Sequence, residues 1–243
     1  MTNKELDIVI NNIEEMVEHQ DSNAYETLIA YKNSDINELR VTVAVNLADF
    51  DEHIAIPTLI NFIENDLSKE VRIEALESLS TFKSITVYNS LKNYSLIQDA
   101  PRRFHQIIAR GLEFYPSSES IKILERYLMN SNDHVVWIFA VDSLKNINNY
   151  LMKELWQKLA NHQHHYVQKV ANELLSNINW ISSSQINQIK DIVQKKSLTL
   201  KGFFYEKFPA RIVKDTFQLN MEEELLFNTF NHIYIDSHNN NNK

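Results

Sequence analysis

Apolar residues at four helically spaced positions recur five times along this chain at a nearly constant interval, and that periodicity restricts the fold more than any other feature. The copies are Leu39, Val43, Leu47 and Phe50; Val71, Ala75, Leu79 and Phe82; Phe104, Ile108, Leu112 and Tyr115; Val136, Ala140, Leu144 and Ile147; and Val167, Ala171, Leu175 and Ile178. The lead positions 39, 71, 104, 136 and 167 are 32, 33, 32 and 31 residues apart. Eight residues before each lead stand Tyr31, Ile63, Leu96, Leu128 and Leu159, so a preceding helix keeps the same step. One helix pair of this length cannot bury its own apolar stripe. Neighbouring pairs must therefore stack, and stability accumulates along the array.

The composition agrees with an all-α chain. Among 243 residues there are 2 glycines and 4 prolines. Hairpins and strand-to-helix turns draw on glycine for positive φ, whereas helices joined by Asn, Ser and Asp turns do not. The expected architecture is one α-solenoid domain over residues 1–236. It comprises an N-terminal capping helix (1–20), about five helix pairs (21–180) and a helical C-terminal cap (181–236). In the first helix Leu6, Val9, Ile10, Ile13, Met16 and Val17 form one stripe, and Thr2 with Glu5 makes a capping box. Gly202 and Pro209 interrupt the pattern, and Asn220 with Glu223 starts a final helix. The polar tail 237–243 is expected to be disordered.

The segment Ala55 to Phe82 resembles the HEAT-like repeat family, including the variant found in bilin-lyase-related proteins. Ile56, Pro57 and Leu59 match its apolar-Pro-x-Leu start, Asp66 its acidic turn, and Val71, Arg72 and Ala75 its second helix. The resemblance spans roughly Tyr25 to Ile178 and implies a right-handed superhelix. Pro57 suits such a helix if it lies in the first turn. The family arginine recurs at Arg40 but gives way to His105, Trp137 and Gln168, which interrupts the expected Asp–Arg ladder.

Several chemistries are poorly served. No cysteine is present, which removes disulfides and thiolate chemistry and suits a reducing cytoplasm. Glycine occurs only at Gly111 and Gly202, too sparse for phosphate-cradling loops or a nucleophile elbow. The HEAT-like deoxyhypusine hydroxylases hold iron with His-Glu dipeptides, and the sequence contains none. A net charge of −8 argues against nucleic acid as a partner and suits a basic protein. The apolar run Val135 to Val141 is far short of the ~20 residues a membrane span needs. His162, His164 and His165 could meet one metal ion by spacing, but they read as solvated turn histidines with no neighbouring carboxylate. Neither an enzyme, a cofactor nor a metal site is expected.

The second helices should line the concave face of the solenoid, which is the expected binding surface. With the lead positions inward, residues one before and three, six and ten after each lead point outward. These are Glu38, Thr42, Val45 and Asp49; Glu70, Glu74, Glu77 and Thr81; Arg103, Ile107, Arg110 and Phe114; Val135, Phe139, Asp142 and Asn146; and Tyr166, Val170, Glu173 and Asn177. The face runs from acidic to aromatic. Glu70, Glu74, Glu77, Arg103, Arg110, Phe114, Phe139 and Tyr166 are the candidate partner contacts. The expected role is stoichiometric binding of another protein, as by an immunity protein that neutralises a toxin. The alternatives are an adaptor or assembly factor, and a cofactor-handling lyase or chaperone of the bilin-lyase type suggested by the repeat style.

Overall fold

A computed structural model describes residues 2–97, 99–147 and 152–177. The expected cap over 181–236, the tail 237–243 and Ile178 lie outside the described residues. Among the described residues the chain is helical, with no strand. The helices are α1 (Asn3–Glu18), α2 (Ala24–Ile29), α3 (Asn37–Asn46), α4 (Glu52–Asn65), α5 (Lys69–Leu79), α6 (Ile85–Tyr94), α7 (Arg102–Gly111), α8 (Ser118–Asn130), α9 (His134–Ile147), α10 (Lys153–Leu159) and α11 (His165–Asn177). Short 3-10 turns, Leu47–Asp49 and Leu112–Phe114, extend α3 and α7. No described helix is long and apolar enough to cross a membrane.

Local chemistry sets the helix starts. The Thr2–Glu5 capping box forms: the Thr2 N–H donates to Glu5 Oε2 at 2.7 Å and the Glu5 N–H to Thr2 Oγ1 at 3.3 Å. Ser68 and Ser84 cap α5 and α6 by accepting the N–H groups of Val71 and Val87. Asp51 caps α4 by accepting from His53, so α4 begins earlier than its resemblance suggests. Pro57 therefore lies inside the helix and not in its first turn.

The chain divides into two compact units. The first joins Met1–Tyr115 with Arg126–Ser143, and the second joins Pro116–Glu125 with Leu144–Lys243. In the first unit α1 packs on α2 and α3, α5 on both α3 and α4, and α7 on both α5 and α6. Leu39, Val43, Leu47, Val71, Ala75, Leu79, Phe104, Ile108, Leu112, Val136 and Ala140 are all buried there. Each fully buried aliphatic or phenyl side chain contributes ~1.5–3 kcal/mol. Hydroxyls fasten successive second helices: Ser78 Oγ donates to the Val45 carbonyl at 3.3 Å, and Ser143 Oγ to the Ala109 carbonyl at 2.7 Å. Gly111 holds the corresponding place in α7, where a Cβ would come within 3.1 Å of Leu91 Cδ1. In the second unit α10 packs on α11, burying Leu155, Trp156, Leu159, Val167 and Ala171. Lys158 reaches Glu125 at 3.3 Å.

Two positions eight before a lead fall past the end of their helix: Tyr31 lies beyond α2, whose Leu28 is fully buried, and Leu96 lies beyond α6. Leu96 is 65% exposed, and Val87, Leu91 and Tyr94 carry the stripe of α6 instead. Seven residues, 95–101, separate α6 from α7, against three, 66–68, between α4 and α5, so eight residues back from Phe104 is still in the turn.

Candidate binding face

The outward side of α3, α5 and α7 is built by helical geometry. Glu38, Glu70 and Arg103 lie one residue before their leads and are exposed, as are Asp49, Thr81 and Phe114 at ten after. Val45 is exposed, and Glu77 and Arg110, at the same six-after position, are partly exposed. The three-after column behaves differently: Thr42, Ile107 and, in the second unit, Val170 are buried, and Glu74 is partly covered. At about 100° per residue, that column stands only a quarter-turn from the inward stripe, so it meets the flank of the next second helix.

Charges are unevenly matched on this face. Glu77 is shared by two arginines: Arg110 binds one carboxylate oxygen and Arg103 Nη2 approaches the other at 3.4 Å. Glu38, Glu70 and Glu74 enter no ion pair with a described residue. Burial raises the Glu74 carboxyl above its ordinary range, and the like charges of Glu77 and Glu70 add to this against the pull of Arg103. Phe114 is 50% exposed, and the Lys83 ammonium stands 3.1 Å from its ring centroid. Burial lowers the Lys83 amine, with Glu113 opposing and Arg110 reinforcing the shift.

The remaining candidates fall elsewhere or deeper. Phe139 is half-buried in α9 of the first unit. Tyr166 is 37% exposed at the start of α11 and belongs to the second unit. The side chain of Asn177 lies outside the described residues.

Of the three clustered histidines, His165 is exposed and His164 partly covered, and His162 differs from its expected solvated state. His162 is 8% exposed, and its Nδ1 accepts the His164 N–H at 3.1 Å, closing the turn that leads into α11. Among the described residues, no group of three or more His, Asp or Glu is placed to hold a metal ion.

A second feature escaped the sequence reading. On the turn side of the first unit, an open depression of about 520 Å³ is lined by Lys32, Asn61, Asn65 and Leu67 over a floor of Arg40 and Asp66. Arg40 clasps Asp66 through Nε (2.7 Å) and Nη2 (3.0 Å) and donates Nη1 to the Ser34 carbonyl. Burial opposes the Asp66 charge. The Arg40 bond, the Ser68 N–H and the charges of Arg40 and Arg72 outweigh it and hold the carboxyl below its usual range. A parallel rung follows at Asp133, gripped by Arg102 (2.5 and 2.7 Å) and Gln106 (2.8 Å). Arg72 builds no such rung; its Nε binds the Ile63 carbonyl at 2.8 Å. Leu67 is 98% exposed. Its only sequence signal was a leucine between Asp66 and Ser68 in a polar turn.

No protein-family model matches the chain, and no curated protein matches it.

Proposed function

We propose that this chain is a non-catalytic α-solenoid that binds a basic protein stoichiometrically through the outward face of its second helices, as an inhibitor neutralising a toxin would. The observation that carries the reading is the pairing of unmatched carboxylates with exposed apolar groups on one helical face. Glu38, Glu70 and Glu74 enter no ion pair with a described residue, and Val45 and Phe114 are exposed on the outward columns of the same set of helices. Unmatched like charges steer an oppositely charged partner, and an exposed aromatic supplies a desolvated anchor. A partner's Lys or Arg beside Glu74 would offset the like charges of Glu77 and Glu70, which add to the effect of burial on this carboxyl. An adaptor role would use the same face and differs in the identity of the partner.

The test is capture from the native host by the intact protein and by a Glu74→Lys, Phe114→Ala variant shown to be folded by circular dichroism. We expect one basic protein bound at equal stoichiometry, crosslinked at α5 and α7, and lost in the variant. Equal capture by both forms would move the site off this face.

A further inference from the structure

We infer that the α5–α7 face pairs with the same face of a second copy of this chain, across a twofold axis that runs between the two helices and parallel to them. The argument is one of register. Glu70 and Arg103 each precede a lead position by one residue, and Glu77 and Arg110 each follow one by six. Each acid is thus 33 residues before its basic counterpart. The Tyr115 hydroxyl donates to the Phe82 carbonyl at 3.1 Å, both residues standing eleven after their leads, and with the Glu77–Arg110 ion pair this places the two rows side by side at similar height. Rotation about such an axis exchanges the rows and preserves height, so a pattern of acids on one helix and bases on the next is self-complementary. Glu70 of one copy then stands over Arg103 of the second copy, and Glu77 over Arg110. Glu74 falls between the second copy's two arginines, and exposed Phe114 falls over Thr81.

The isolated chain leaves these charges badly distributed. Glu77 serves two guanidinium groups, one of them only at 3.4 Å, while Glu70 serves none among the described residues. In the paired arrangement Glu70 takes the second copy's Arg103, and Glu77 is left to the Arg110 side chains of the two copies. The inference uses the face of the proposed function but not its foreign partner, which would compete with the second copy.

Sedimentation velocity of the full chain at low ionic strength tests this, with Glu70→Arg, Arg103→Glu and the double exchange compared after circular dichroism confirms folding. The wild type should sediment at twice 28.5 kDa and dissociate as salt is raised. Either single reversal places like charges opposite each other and should weaken association by roughly tenfold or more. The double exchange restores opposite signs and should restore the dimer. A wild type that stays at 28.5 kDa across the micromolar range overturns the inference. So does a dimer indifferent to the single reversals, or a double exchange that fails to recover. None of these outcomes touches capture of a basic protein, so the two readings fail separately.

Discussion

Individual side chains here carry charge states and backbone conformations that the fold imposes, and each can be tested alone. Gln20 closes α1 at φ 54°, the left-handed region where a Cβ is costly, with its N–H on the Val17 carbonyl and that of Asp21 on the Met16 carbonyl. Gln20→Gly should raise stability by about 1 kcal/mol, read from urea denaturation. Asp133 is held well below the ordinary carboxylate range by the Arg102 hydrogen bond first, against burial, with Gln106 and the Val135 N–H adding to it. A depressed carboxyl contributes stability that is complete above its unfolded value of about 3.9 and disappears as pH falls toward the folded one. Melting temperature should therefore drop below about pH 4 in the wild type, and Asp133→Asn should flatten that decline. Glu74 has the opposite sign, because its carboxyl is raised. Its charge costs stability once pH exceeds the folded value, so Glu74→Gln should melt higher at pH 7, with the difference vanishing in acid.

At the level of elements, substitution costs should follow the columns of the helices. Leu79 is fully buried, and Leu79→Ala should cost ~2–5 kcal/mol including the cavity. Phe114→Ala, at an exposed ring, should cost little beyond the ~0.5–1 kcal/mol of its lysine contact. Equal losses in urea denaturation would show that Phe114 is core and not surface. Gly111→Val forces a side chain against Leu91 and should cost ~1–3 kcal/mol. The helix pairs were legible because burial of an amphipathic stripe repeats with the period of the sequence. Every lead residue from Leu39 to Val167 is buried as its spacing demands. What resisted reading depended on neighbours. Ile107 and Thr42 are covered because a second helix lies beside them, which no single stripe reveals. Leu96 falls outside the stripe because the α6–α7 turn is longer than the α4–α5 turn, which a fixed step does not register. The grip of Arg102 on Asp133 joins residues 31 apart whose types alone suggest no pairing.

On the scale of the whole molecule, the path of the chain matters more than any one contact. The first compact unit is not a contiguous stretch, because it takes Arg126–Ser143 after Pro116–Glu125 has gone to the second. Arg126 binds the Ser95 carbonyl, His105 meets Tyr127 at 3.1 Å, and Ser143 satisfies the Ala109 carbonyl, so the returning segment completes α6 and α7. A chain leaving the ribosome N-terminus first cannot finish that unit when Tyr115 emerges. It must wait with Ala109 and His105 unserved until Ser143 is free, by which time Pro116–Glu125 has also appeared. Synthesis thus makes the closing of the first unit and the opening of the second overlapping events, and a ribosome halted between those two points would hold a half-built core.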